Sequence, residues 1–587
     1  LLDNLFVLDL TYGRAGFCSK LLADLGASVI KIEPPDGDPA RNDSLSFSYN
    51  NSNKRGIVLN LETPEGRQTL DALMRKADIL VETKQFENSG LDPGFPEHIN
   101  PSLIHISLPR QASYPASLHG AIAAILNLLK REISGEGCHA DLSIQEIMPA
   151  DDHKNILFHI LPCKDGFIQM TILKDWETLL EIMASEHMAG DLAEQKWLEA
   201  SVRTELLQHI VDRVTEWTLG HTKSELFHFG QLMRFPWAPV ENPMEVLNSP
   251  QLQARNFFTR TAVHGSGSVL RFPGAPYRQP APLLEEDAPQ VFNILNIPVE
   301  KRPKKTHPKN EMSVCNEEIL KGLRVIDLTR MLSGPYATRI LADFGAEVIK
   351  IQSSVTAQGA ERNDTEFFKI WNRNKRSLSI DLSHPKARDL FLELVSVSDI
   401  VVENFSPRVM TNWGLDYPKL QQVNPNLIMA SISAMGQTGP WKNYVGFAPT
   451  FHALSGLLSL LSRTHEAPVN IQHPYADIVA ALFSSIAILA AALNRNRTGK
   501  GRHIDISAYE SLVTALGFAL TEGAKGFEQD LIQDLTSEQY IFWPWKEEPT
   551  RWRTAPSLGQ DNRYIMMELL GHSAAEFASF EAERILR

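Results

Sequence analysis

The sequence predicts an α/β fold made of two parallel-sheet repeats in tandem, with a smaller α+β domain inserted after the first. Three observations carry this reading. The chain of 587 residues is too long for a single core. Its first residues alternate short apolar strands with a helix. That same pattern returns, in the same order, in the second half.

The opening segment LFVLDLTYGRAGFCSKLLADLGASVIKIE (5–33) matches LRVIDLTRMLSGPYATRILADFGAEVIKI (323–351). Each reads as an apolar strand, a turn, a helix starting near Gly16 or Gly334, and a second apolar strand. Strand, helix and strand in that order form a βαβ unit of a parallel sheet. NSNKRGIVLNLETPEGRQTLDAL (51–73) then pairs with NRNKRSLSIDLSHPKARDLFLEL (372–394). ADILVET (77–83) pairs with SDIVVEN (398–404), and INPSLIHISL (99–108) with VNPNLIMASI (423–432). The last shared stretch is a helix with its turn and strand, 121–143 against 485–507.

The copies are unequal. Residues 150–290 of the first half, with strand-like FIQMTIL, helical WETLLEIM and LAEQKWLEA, and Pro-rich FPWAPVENP, have no counterpart after residue 507. Residues 437–476 of the second half have almost nothing opposite them in the first. The expected layout is repeat one over 1–150, the small domain and return over 151–298, a basic linker over 299–317, and repeat two over 318–587.

A net charge of -13 argues against general nucleic-acid or membrane-surface binding, although a local Lys/Arg cluster can still hold a phosphorylated small molecule. Four scattered cysteines (Cys18, Cys138, Cys163, Cys315) show no metal-ligand spacing and fit a reducing cytoplasm. No run of 18 uncharged apolar residues stands out, and the first residues show no signal-peptide pattern. A cytoplasmic location without a resident metal is expected.

SGPYATRILADFGAEVIKI, NRNKRSLSIDL, VVENFSPRVMTNWGLD, ISAMGQTGP and RNRTGKGRHIDIS together resemble the class III CoA-transferases, the family of formyl-CoA transferase and crotonobetainyl-CoA:carnitine CoA-transferase. The resemblance implies two Rossmann-like repeats forming a pseudo-dimer within one chain, with CoA or acyl-CoA as co-substrate and a small acid as partner. A homodimer of the fused chain is compatible with it. In the family pattern an aspartate precedes the helix that runs into the R-x-x-T-G-x-G turn. Counted back from Arg495 this is Asp477; the same count from Arg131 reaches Ser113, which cannot form an acyl anhydride. The first half then reads as a catalytically dead copy.

A carboxylate nucleophile would attack the donor thioester, giving a mixed anhydride and then an aspartyl–CoA thioester. On its own, Asp477 also suits a helix N-cap. His473, four residues earlier, is a candidate to orient it or to move a proton. Lys375, Arg376 and Asn374 are candidate partners of CoA phosphates, or simply a solvated charge cluster. The turn at Gly334 and Pro335 offers N–H groups to an oxygen. Trp543, Trp545 and Trp552 are either core or an aromatic box for an onium group. That box would suit the dimethylsulfoniopropionate CoA-transferase/lyases, which the fused architecture also resembles. An α-methylacyl-CoA racemase-like activity and a non-catalytic CoA-binding scaffold remain open alternatives.

Overall fold

The computed structural model describes residues 1–83, 95–109, 112–142, 158–174, 176–263, 268–277, 318–462, 467–471, 473–521 and 553–586. The expected linker and the Trp543, Trp545 and Trp552 cluster lie outside the described residues.

Each half is built on a six-stranded parallel sheet. In the first, β1 (Phe6–Leu10), β2 (Ser28–Glu33), β3 (Arg55–Val58), β4 (Ile79–Glu82), β5 (Ile104–Ser107) and β6 (Cys138–Asp141) stand in the order β3-β2-β1-β4-β5-β6. Between the halves lie an antiparallel sheet of β7 (Phe158–Cys163), β8 (Gly166–Thr171) and β9 (Ala238–Pro239), and a hairpin of β10 (Phe258–Ala262) and β11 (Val269–Pro273). The second half repeats the first: β12 (Arg324–Asp327), β13 (Glu347–Gln352), β14 (Arg376–Ser379), β15 (Ile400–Glu403), β16 (Ile428–Ser433) and β17 (Arg502–Ser507), ordered β14-β13-β12-β15-β16-β17.

The repeats agree in detail. The Tyr114–Ser134 helix ends at Gly135 and the Tyr475–Thr498 helix at Gly499, both glycines left-handed. One turn before each end an arginine returns to the sheet, Arg131 to Asp78 and Arg495 to Asp399, each at 2.9 Å. A buried aspartate closes β1 and β12 against a lysine from the third strand's turn: Asp9 with Lys54 at 2.7 Å, and Asp327 with Lys375 at 2.8 Å.

The halves share one core. The Tyr114–Ser134, Ser333–Asp343 and Ala508–Leu516 helices pack on the Tyr475–Thr498 helix, whose side chains are almost all buried. By length and hydropathy this is, among the described residues, the one helix able to cross a membrane. It instead fills the centre of the fold, between helices of both halves and strands β16 and β17 of the second sheet. The ring of Phe17 meets Phe483 edge-on at 6.5 Å, and the Tyr49 hydroxyl donates to the Thr514 carbonyl at 2.6 Å. The outer sheet faces keep separate cores, around Leu73 and Leu80 in the first half and Phe391 and Val401 in the second.

The small domain has its own core, with Trp176, Trp197, Trp217 and Trp237 buried. The expected helix over LAEQKWLEA is two 3-10 turns, Gly190–Ala193 and Gln195–Leu198, parted by Glu194 in extended backbone. The Trp197 indole donates to the Asp191 carbonyl across that break at 2.9 Å, so burying the tryptophan favours turns over a continuous helix.

Candidate active site

Asp477 lies in the first turn of the Tyr475–Thr498 helix, three residues after the cap Pro474. It is therefore neither an N-cap nor in a loop ahead of the helix, because Tyr475 and Ala476 already have helical backbone. The side chain is half-buried, open to solvent on one side though densely surrounded by protein. Burial raises its pKa to about 7, against the opposing pull of the Ala448 backbone N–H. A helix N-terminus also favours the charged form; desolvation outweighs both.

His473 precedes the cap, and its carbonyl accepts from the Tyr475 N–H at 2.8 Å. Burial lowers its pKa to about 4, so the ring is neutral at neutral pH. Nearby His452 is fully buried, and its Nε2 accepts from the Ala476 N–H at 3.3 Å. Burial, and then His473, lower the His452 pKa to about 3. At the equivalent position of the first half, Ser113 caps the Tyr114–Ser134 helix, accepting from the Ala116 N–H at 3.2 Å.

The segment 434–450, most of which has no counterpart in the first half, is held in place by the first half. Gln251 donates to the Met435 and Thr438 carbonyls at 2.6 and 2.8 Å and accepts from the Trp441 N–H at 2.7 Å. Gln231 accepts from the Val445 N–H at 2.8 Å, and the Thr450 hydroxyl donates to the Pro236 carbonyl at 2.9 Å. The Asn470 side chain donates to the Phe158 carbonyl at 3.1 Å. The small domain of one half thus seats beside the aspartate of the other. Gly436 is left-handed at φ 86°, and a Cβ there would lie 2.2 Å from the Arg255 guanidinium. Only glycine fits that approach.

The strand order of the second sheet reverses between β12 and β15, and ligands of open α/β sheets bind outside the strand carboxyl ends at such a point. The two loops there are tied together. The Arg330 N–H donates to the Asn404 side chain, which donates back to the Arg330 carbonyl, both at 2.8 Å. The Arg330 guanidinium lies 5.4 Å from the Phe405 ring centroid. Burial lowers the Arg330 pKa, and Glu361 opposes that shift. Across the domain boundary, Arg234 of the small domain has its pKa lowered by burial and then by the charge of Arg408. The charges of Arg234 and Arg408 thus lie close enough to disfavour one another, a repulsion that a phosphate group would relieve. Arg330, Arg408 and Arg234 were not singled out from sequence. The first two follow the strands of the switch point, and that rule finds them; Arg234 is remote in sequence and only the docked domain brings it there.

The residues proposed from sequence to hold phosphates lie inside the framework instead. The ammonium of Lys375 donates to Asp327, the Pro335 carbonyl and Asn372 at 2.8–2.9 Å, which uses all three of its N–H groups. Arg376 pairs with Glu347 and Asp561 and stacks on Tyr564. Asn374 bonds Asp343 at 2.6 Å and exchanges bonds with Arg553. Gly334 and Pro335 are buried in the first turn of the Ser333–Asp343 helix, where a Cβ on Gly334 would meet Thr329 at 2.3 Å. That turn is closed by packing rather than open to an oxygen.

The sequence matches the profile of CoA-transferase family III over residues 2–113, 144–291 and 320–541. A probable CoA-transferase of Mycobacterium tuberculosis is 27% identical over 628 aligned positions, covering 90% of this chain and 78% of its own length. The alpha subunit of the succinyl-CoA–L-malate CoA-transferase of Chloroflexus aurantiacus is 40% identical over 227 positions, 37% of this chain and 53% of the subunit. The succinate–glutarate CoA-transferase of Agrobacterium fabrum is 36% identical over 32% of this chain and 50% of its own. The chain thus spans about half the length of most curated relatives it matches. A crystal structure of a CAIB/BAIF family protein from Brucella suis aligns at 36% identity over 34% of this chain and 56% of its own, with a TM-score of 0.33. Since the profile takes in most of both halves, the chain belongs to CoA-transferase family III, enzymes whose co-substrate is CoA or an acyl-CoA.

Proposed function

We propose that the protein transfers CoA from a donor acyl-CoA to a small carboxylic acid, with Asp477 as the nucleophile. The observation that carries this is a half-buried carboxyl with its pKa raised to about 7, beside the domain boundary that brings Arg234 to Arg408. Arg330, Arg408 and Arg234 would take the phosphates of CoA.

The Asp477 carboxylate attacks the donor thioester, forming a mixed anhydride and expelling CoA thiolate. The thiolate attacks the aspartyl carbonyl and releases the donor acid, leaving an aspartyl–CoA thioester. The acceptor carboxylate attacks that thioester, giving a second mixed anhydride and expelling CoA thiolate, and the thiolate then attacks the acceptor carbonyl to release the new acyl-CoA and the Asp477 carboxylate. Each tetrahedral oxyanion needs N–H donors, and the Ala448 amide is the one that already faces Asp477. His473, neutral at working pH, would orient the carboxyl. The two halves stand in for two subunits, in keeping with relatives named as alpha and beta subunits of one transferase. Free Cys18, Cys138 and Cys163 suit a reducing cytoplasm.

The test is incubation with acetyl-CoA or succinyl-CoA and a panel of monocarboxylic, dicarboxylic and onium acids, with products read by mass. A CoA adduct on the peptide carrying Asp477, trapped with donor alone, is expected. Product formation without any such adduct, and undiminished in Asp477→Ala, would sink the assignment.

A narrower reading takes the acceptor as dimethylsulfoniopropionate, with dimethyl sulfide eliminated afterwards. The clustered Trp543, Trp545 and Trp552 support it, since indole faces attract onium groups. Asp477 or His473 would supply the base for the α-proton. Trp→Leu changes should then weaken the sulfonium acid but not its neutral isostere 4-methylpentanoate. Equal losses, or no dimethyl sulfide, remove this reading and leave the transferase intact.

A further inference from the structure

On the outer face of the first sheet, far in sequence from Asp477, β5 and β6 place His105 directly opposite His139. Their rings stack at 4.2 Å with 9° between planes. Glu97, on the Phe95–Ile99 helix that leads into β5, sets its Oε1 at 3.3 Å from His105 Nδ1 and 3.9 Å from His139 Nδ1. One donor atom from each of the three side chains falls within 4.8 Å of the others. The opposite ring nitrogens also have neighbours: Ser107 Oγ is 2.8 Å from His139 Nε2, and Glu82 Oε1 is 3.6 Å from His105 Nε2. Glu97 Oε2 is buried without a hydrogen-bond partner among the described residues. His139 and Glu97 keep about a third of their side-chain surface in solvent, so an ion can reach the group.

The second half supplies a control within the same chain. Aligned on the repeat, His139, Ser107 and Glu82 recur as His503, Ser431 and Glu403, and the Ser431–His503 contact is again 2.8 Å. Glu97 and His105, however, are replaced by Gln421 and Met429. The supporting groups occur in both halves, and the added carboxylate and imidazole in the first alone.

We propose that Glu97, His105 and His139 form a binding site for a divalent transition-metal cation of the zinc type, with water completing its shell. Two imidazoles and a carboxylate are a donor set that zinc favours. Ligand atoms about 2.1 Å from a tetrahedral ion stand roughly 3.4 Å apart, a spacing that Glu97 and His105 already meet. The His139 ring, a third of its side-chain surface in solvent, must turn out of the stack for its lone pair to reach the same ion. Glu82 is placed to orient the His105 ring through its other nitrogen, as outer partners of metal-bound histidines do. The ion would tie the Phe95–Ile99 helix to the outer edge of the sheet, and it takes no part in transfer at Asp477.

Untagged full-length protein, stripped with chelator, is titrated with zinc chloride by calorimetry and its metal content measured after dialysis. One equivalent is expected, and cobalt(II) should give the visible absorption of a tetrahedral site with N and O donors. The variant Glu97→Gln/His105→Met writes in residues that the second half already accommodates. It should weaken zinc binding by roughly 100-fold, the upper end for a disturbed metal shell. His139→Gln, at an exposed position, should do the same with an unchanged melting temperature. Wild type that takes up no zinc, or zinc bound equally well by both variants, would overturn the site and leave an ordinary carboxylate–histidine pair.

Discussion

The Arg255 guanidinium, carried by the segment that follows the small domain of the first half, grips the Glu510 carboxylate of the second half with two N–H groups, the longer bond being 3.0 Å. The Nη1 group donates to Asp505 at 2.8 Å and to the Thr438 hydroxyl at 2.9 Å. The arginine is 1% exposed. It joins the halves, and it also sets the position of the 434–441 loop, since Asp505 accepts from the Gln437 N–H at 2.9 Å.

Removing one partner of a buried ion pair strands the other charges. Arg255→Met is expected to cost about 3–5 kcal/mol. Urea unfolding should show the lower midpoint, and transferase activity should fall with it because the loop loses its anchor. A midpoint matching wild type would show that the pair contributes nothing to joining the halves.

Gly436→Ala tests the same contact from the loop side. A Cβ at 2.2 Å from the Arg255 guanidinium, on backbone at φ 86°, forces one of the two to move. Activity should drop at least tenfold, by the order of about 1.4 kcal/mol or more in transition-state stabilisation, while the far-ultraviolet spectrum stays unchanged. Wild-type kinetics in this variant would show that the loop position is irrelevant to catalysis.

Asp477→Asn should abolish transfer. In wild type, the rate with donor saturating should rise with pH as the carboxyl ionises around its pKa of about 7. The stability effect runs the opposite way. Between the unfolded value of 3.8 and the folded value of about 7, the folded chain holds a proton that the unfolded chain has lost. Wild-type stability therefore falls as pH rises through that window. Asn lacks this titration, so its melting temperature should exceed that of wild type increasingly from pH 4 to pH 7 and by a constant amount above. Parallel melting curves over that range would show that Asp477 is not perturbed.

Ser113→Ala should leave the transfer rate within a few-fold of wild type, because this side chain only caps a helix. Loss of the cap should cost about 1 kcal/mol, measured by denaturant unfolding. A rate loss as deep as that of Asp477→Asn would mean that both halves hold active sites.

The duplication, the parallel sheets and the aspartate eighteen positions ahead of Arg495 were all legible in the one-dimensional order of residues. Strand and helix periodicity, and equal spacing to a shared turn, are local properties that do not depend on how the halves dock. Lys375 shows where such reading fails. An Asn-Lys-Arg run in a turn looks like a solvated phosphate clamp, yet Asp327 lies 48 residues away and draws the ammonium into the core. The partners of the 434–450 segment are farther still. Gln251 meets Trp441 across 190 residues, and Arg255 meets Glu510 across 255. The sequence by itself determined two copies of one fold, and that one copy carries an aspartate, Asp477, where the other carries a serine, Ser113. Only the tertiary structure decided that the small domain of the first copy seats on the second, beside Asp477. The raised pKa of that carboxyl has the same origin, because desolvation depends on everything packed around a group and not on its neighbours in the chain.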